Sequence, residues 1–231
     1  MTEVVGRVGA VVVAAGSGLR FGPGARKQYR TLRGVPILEL AVRPFLDHPA
    51  IVRTVVVLPI DDISAPPDWL THLDVIRVAG GEQRGDSVRN GLDALGDVCD
   101  VVLVHDGARP LVTRELIDRL LAAAGEEGVI PAIASTDTLK VVAPDGLVES
   151  TVDRSRLWRV QTPQLFPLEP LRRAHENARH ARISTSDDAA LFEREGWPVR
   201  VVEGDIRNLK VTTAADLAFA EALAYHLPRP D

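Results

Sequence analysis

Residues 8–29 read VGAVVVAAGSGLRFGPGARKQY: an apolar, β-branched run, then small residues and glycines, then Arg20, Arg26 and Lys27. A short continuous apolar run with no polar alternation reads as a strand covered on both faces. Four more runs share that character: 54–58 (TVVVL), 75–79 (VIRVA), 101–104 (VVLV) and 129–133 (VIPAI). Stretches with helical spacing lie between them at about 36–48, 86–95 and 113–124, so the order is βαβα. That order predicts an α/β fold with a doubly wound, mostly parallel sheet. Ligands of such sheets bind beyond the carboxyl ends of the strands, where the loops 14–27, 80–87 and 105–110 should converge on one crevice.

The alternation breaks at 138–143 and 147–152, two strand-like runs joined by Pro144-Asp145-Gly146, whose residue types favour a tight turn. This hairpin, at about 136–156, is either a protruding arm that packs on a partner subunit or an antiparallel extension of the main sheet. Helices are expected again near 168–181, 187–195 and 213–226, the last capped by Thr212 or Thr213 with Asp216 in its first turn. The whole of 1–231 is read as one large α/β domain with no second catalytic domain fused to it. A net charge of −5 without a long Lys/Arg stripe argues against a nucleic-acid surface, while local cations still suit small anions. The lone Cys99, in an apolar setting, suits a reducing cytoplasm and core packing. No secretory leader is recognised, and no apolar run reaches the roughly 18 residues of a membrane helix.

Small residues after a strand let the backbone approach a nucleotide, and nearby cations neutralise charge on a transferring phosphorus. Two familiar phosphate loops are excluded. The dinucleotide fingerprint needs a third glycine where Phe21 stands, and Lys27 is followed by Gln28 where the Walker A pattern needs Ser or Thr. In Gly80-Gly81-Glu82-Gln83-Arg84-Gly85-Asp86-Ser87 the glycines permit approach to a flat base or ribose, with Asp86 or Ser87 as the helix cap; a plain capped turn is the bland alternative. His105-Asp106-Gly107-Ala108-Arg109-Pro110 concentrates an acid, a glycine and a base at a strand end. Asp106 either holds Mg²⁺ or accepts from substrate hydroxyls while Arg109 binds a phosphate, or the two form an ion pair that merely shapes the turn; His105 is read as structural. Lys210, inside Asn208-Leu209-Lys210-Val211-Thr212, either reaches solvent or meets an anion.

Taken in order, AAGSGLR…RKQY, GGEQRGDSV, VHDGARP, TDTLK, VDRSRLW, QTPQLF, SDDAAL and NLKVT resemble the 2-C-methyl-D-erythritol 4-phosphate cytidylyltransferases over essentially the whole chain. The resemblance implies a Rossmann-like nucleotidyltransferase that makes CDP-methylerythritol and pyrophosphate from CTP and methylerythritol phosphate, in the non-mevalonate isoprenoid route. It implies Mg²⁺ held largely by the CTP phosphates, with no protein ligand assigned, and a cytoplasmic homodimer whose hairpin arms interlock. By position, it puts Ala14, Ala15, Gly16, Gly80, Gly81, Glu82 and Ser87 around cytosine and ribose, and Arg20 and Lys27 on the α-phosphate. Arg154 and Lys210 then hold the methylerythritol phosphate for attack, assisted by Asp106, Arg109, Thr138, Thr162 and Ser186. Thr138 and Arg154 lie on the arm and so would enter the partner's site. Gly107 stands where many relatives have alanine, and Ser186 where threonine is usual. Two rivals share these features: a relative that transfers CMP to ribitol 5-phosphate, and a catalytically silent nucleotide-binding module.

Overall fold

The computed structural model describes residues 6–16 and 26–224. Strand β1 (Val8–Val13) sends Val8, Ala10 and Val12 into one buried cluster and Val11 into another, which is why its sequence shows no polar alternation. A 3-10 turn at Lys27–Tyr29 and a small ribbon, β2 (Thr31–Leu32) with β3 (Val35–Pro36), lead into α1 (Ile37–Leu46). Next come β4 (Ile51–Leu58), the one-turn helices α2 (Asp61–Ser64) and α3 (Asp68–Thr71), and β5 (Ile76–Ala79). Then follow α4 (Arg84–Leu95), β6 (Val101–Asp106), α5 (Arg114–Ala122) and β7 (Gly128–Ala134). The expected hairpin is β8 (Leu139–Val142) with β9 (Val148–Val152), its turn carrying Gly146 at φ 89°. The chain continues through β10 (Trp158–Val160), β11 (Gln164–Pro167), α6 (Leu168–His180), α7 (Asp188–Arg194), β12 (Val199–Glu203) and α8 (Ala214–Ala224).

The main sheet runs β10-β7-β11-β6-β1-β4-β5, with β12 also paired to β7. Strands β5, β4, β1 and β6 are parallel, as predicted. Strand β11 intrudes antiparallel between β6 and β7, and β10 pairs antiparallel with β7. One face is covered by Leu38, Val42 and Phe45 of α1 and by Leu116, Ile117 and Leu120 of α5. The other is covered by Val88 and Leu92 of α4, Leu171 of α6 and Phe192 of α7. Each such fully buried side chain contributes roughly 1.5–3 kcal/mol of transfer free energy, enough to hold the strand ends as a rigid rim. Cys99 packs in the second cluster, where burial pushes its thiol pKa up.

Two local expectations change. The hairpin forms a two-stranded sheet of its own and so is not the antiparallel extension of the main sheet that was one of its two readings. Its Leu139, Val141, Val142, Leu147 and Val148 are all exposed. Helix α4 begins two residues earlier than expected: neither Asp86 nor Ser87 is its cap, because Gln83 caps it and Asp86 accepts from the Gln83 N–H in a reciprocal capping box. No helix among the described residues is long and apolar enough to cross a membrane.

Candidate active site

Three loops at strand carboxyl ends meet around a cavity of about 640 Å³: Ala14–Gly16 after β1, Gly81–Gln83 after β5, and Gly107–Ala108 after β6. Their closeness requires glycine. A Cβ on Gly80 would lie 2.2 Å from the Ala15 Cβ, and one on Gly81 would lie 2.3 Å from the Asp86 Cβ. Gly16 differs: it lines the cavity, and a Cβ there meets nothing within 4 Å among the described residues. At Gly107, the alanine of many relatives would sit 2.8 Å from Leu38 Cδ1, and this core would have to shift to accept it.

Asp106, Lys27, Glu82, Ser87 and Lys210 all contribute to the lining, as does Arg84. Lys210, although its side chain is partly exposed, meets an anion: its Nζ lies 2.7 Å from Asp106 Oδ2. Arg84 donates from Nε to Asp106 Oδ1 at 3.3 Å. Burial pushes the Asp106 carboxyl up, yet Arg84, Lys210 and Arg109 together hold it well below the usual carboxylate range. It therefore stays ionised. Of the readings open for this segment, the local Asp106–Arg109 ion pair is not the one formed, since Asp106 pairs with Lys210 and Arg84. Arg109 spends its guanidinium on carbonyls, with Nη1 donating to Asn208 O at 2.8 Å. Thr162 lies beneath the lining, 4% exposed, where its hydroxyl accepts from the Asp106 N–H at 3.0 Å and meets His105 Nδ1 at 3.1 Å. His105 Nε2 faces Arg109 O at 3.1 Å, so that nitrogen carries the proton and Nδ1 accepts from Thr162. His105 is thus structural, and burial lowers its pKa to about 4.

The segment bearing Lys27 is pinned on two sides. Gln28 Nε2 donates to Ala14 O at 3.0 Å, and Arg26 pairs with both Asp61 and Asp62 at 2.9 Å. The Tyr29 hydroxyl donates to Asp62 Oδ2 at 2.6 Å. Burial and this carboxylate raise its pKa above the ordinary tyrosine value. Other expected residues are not gathered here. Arg20 lies outside the described residues, and Thr138, Arg154 and Ser186 are exposed and absent from the described lining.

A family model described as "2-C-methyl-D-erythritol 4-phosphate cytidylyltransferase" matches residues 8–225. This chain belongs to that family. A family member from Geobacillus kaustophilus, bearing the same name, is 44% identical over 93% of this chain and 95% of its own length. A "Bifunctional enzyme IspD/IspF" of Rhodopseudomonas palustris BisB5 is also 44% identical, over 94% of this chain and 55% of its own length. The chain thus spans about half the length of the bifunctional relatives it matches. Among solved structures, the 4-diphosphocytidyl-2C-methyl-D-erythritol synthase of Anaerococcus prevotii superposes with a TM-score of 0.83 at 32% identity, covering 95% of this chain and 96% of that one. The family enzyme of Thermus thermophilus gives 0.79 at 34% identity, covering 93% and 98%.

For this cytidylyltransferase-family chain, sequence reading overlooked Gln28, Arg84, Asp188 and Asn208 as parts of the site. Each sits inside a quoted motif, and each works through a partner far away in sequence. Asn208, fully buried, donates from Nδ2 to Thr162 O at 2.8 Å and so anchors the segment that carries Lys210. As to a metal, no group of three or more His, Cys, Asp or Glu side chains among the described residues forms a cage. The lining offers two carboxylates, Glu82 and Asp106. That sparse set fits Mg²⁺, which typically takes one or two carboxylates and substrate phosphates.

Proposed function

We propose that this chain transfers CMP from CTP to 2-C-methyl-D-erythritol 4-phosphate, releasing pyrophosphate, in the non-mevalonate isoprenoid route. The observation that carries the reading is the cavity itself: three strand-end loops, a charged Asp106–Lys210 pair and Lys27 around one space that Gly16 also lines. A phosphate monoester with a second pKa near 6 is mostly dianionic at neutral pH, so attack needs no general base. The monoester oxygen bonds to the α-phosphorus as the bond to the β-phosphate breaks, and pyrophosphate leaves with the electron pair. What the protein must do is hold two polyanions in line and offset their charge.

In this reading Ala14, Ala15, Gly16, Gly80, Gly81, Glu82 and Ser87 seat the nucleoside, while Arg20 and Lys27 offset charge at the α-phosphorus. Lys210 and Arg154 hold the methylerythritol phosphate, with Asp106, Arg109, Thr138 and Ser186 on the polyol. Thr162, being buried, acts through the Asp106 backbone. Mg²⁺ carried by the triphosphate would be met by Asp106 and would neutralise charge on the departing pyrophosphate. The arm supports a homodimer: Thr138 and Arg154 are exposed on or beside a separate hairpin with apolar faces, which supports their entering a partner's cavity. A lone buried cysteine supports a cytoplasmic setting.

The test is pyrophosphate release with Mg²⁺ and CTP, comparing methylerythritol 4-phosphate with ribitol 5-phosphate and omitting each component in turn. Release only with methylerythritol phosphate is the expected outcome. Preference for ribitol phosphate would keep the chemistry and change the route, and no release with either would refute the activity.

A further inference from the structure

Asp106 is held by a chain of charges that runs out of the cavity into the protein. Arg84 opens α4 and bridges two carboxylates, donating from Nε to Asp106 at 3.3 Å and from Nη2 to Asp188 Oδ2 at 2.8 Å. Asp188 is 1% exposed, and its second oxygen, Oδ1, lies 3.0 Å from His175 Nε2 on α6. Asp188 is the first residue of α7, where the helix dipole favours a negative charge. The start of α7 is itself fixed to β11: Gln164 Nε2 donates to Asp187, and Gln164 Oε1 accepts from the Ala189 N–H. Strand β11 pairs directly with β6, the strand that ends at Asp106. One end of the bridge therefore stands on β6 and the other on a helix start tied to the adjacent strand β11.

We infer that Asp188, braced by His175, is a positioning residue that acts through Arg84 to set how Asp106 is presented to the cavity; this rests on the function proposed above. A guanidinium forks readily onto one carboxylate with two parallel bonds. Here Asp188 draws one end of the fork away, leaving Asp106 a single, longer contact from Nε and its other oxygen for Lys210. With a neutral residue at 188, Arg84 is free to close on Asp106 and compete with Lys210. Substitutions of groups that orient a site's direct contacts commonly reduce activity about 10- to 100-fold.

The experiment is a double-mutant cycle on kcat/KM for CTP with Asp188→Asn, Arg84→Lys and the pair, alongside thermal melting and the side-chain Nε–H resonance of Arg84. Asp188→Asn keeps the shape and the acceptor for His175. It is expected to lower kcat/KM about tenfold or more and to shift the Arg84 Nε–H resonance, and the double variant should be no worse than Arg84→Lys. Losses that multiply, or a lowered melting temperature with unchanged kcat/KM, would show Asp188 to be merely structural and overturn the inference. If Asp188→Asn does not fold, Asp188→Ser, which is equally neutral, takes its place with the same expectations. If the unsubstituted chain shows no turnover, the proposed activity fails by itself, and the clamp is then judged by the resonance: no shift in Asp188→Asn overturns it.

Discussion

Acidification from pH 7 to pH 5 should weaken this fold through His105 alone by about 2 kcal/mol. The imidazole is fully buried, with Nε2–H on the Arg109 carbonyl and Nδ1 accepting from Thr162, so a second proton has no acceptor. Burial brings its pKa from 6.5 to about 4, against the raising pull of the Arg109 carbonyl and the Asp106 carboxylate. The unfolded chain thus takes up the proton as pH falls through 6.5, whereas the folded chain resists until about pH 4. Stability is unaffected by this group above pH 6.5, falls between 6.5 and 4, and levels off below. Linkage between those two values gives a loss of about 2 kcal/mol at pH 5 and about 3 kcal/mol in full. The assay is urea unfolding at pH 7 and pH 5 for the natural chain and for His105→Gln, which cannot titrate. Gln loses the ring contact with Phe45, at 5.1 Å between centroids, but that cost is the same at both pH values and cancels. Equal pH 7 to pH 5 losses in the two proteins would refute the reasoning.

Lys27→Ala is expected to lose on the order of 10²–10³ in kcat, and a near-normal kcat in steady-state assays would remove Lys27 from the reacting centre. Gly80→Ala and Gly16→Ala should separate packing from ligand space. The first clashes with Ala15 and should cost about 1–3 kcal/mol in denaturant unfolding; the second should melt normally yet bind CTP more weakly by calorimetry. Tyr29→Phe removes the hydrogen bond to Asp62 and should cost about 1 kcal/mol, with a raised KM for CTP because Lys27 stands two residues away. Mixing Lys27→Ala with Arg154→Ala should restore about a quarter of natural activity if subunits exchange in a two-fold dimer, since each mixed dimer regains one whole site. No recovery in a mixture shown by sedimentation to contain mixed dimers would place Arg154 in its own chain's site.

Strands β1, β4, β6 and β7 were legible because burial on both faces demands continuous β-branched residues, and runs that short and that apolar seldom suit a helix or a loop; β5 was legible from its apolar run alone, although it stands partly exposed at the sheet's end. Strand β11 was not, although it sits in the middle of the sheet. Its Gln164 is fully buried yet polar, made tolerable only by Asp187 and the Ala189 N–H. Strand β12 carries exposed Arg200 and Glu203 at the sheet's edge, so it lacks the apolar signature as well. The three loops of the cavity were legible for a different reason: where strands end on the same side, their loops must meet. Pairing was beyond reach, because nothing local to Arg84 says that its partners stand 22 and 104 positions away.

Those hidden pairings follow from a requirement that precedes catalysis. A crevice meant for phosphates has to be folded with its cations already in place, and a cation withdrawn from water is costly without a counter-charge. Arg84, the most buried of them, meets this need through Asp188 and Asp106, while the more exposed Arg26 and Lys210 are held in place by Asp61, Asp62 and Asp106. Carboxylates can therefore outnumber what the chemistry demands without marking an acid–base mechanism. Asp106 is shared between two cations while also lining the cavity, so its charge is divided, and the division is where a substitution as distant as Asp188→Asn can act. An Asp106→Asn exchange would leave Lys210 and Arg84 with one compensating carboxylate between them, coupling loss of activity to loss of stability. The exchange at 188 acts on the same carboxylate from behind and leaves its charge in place.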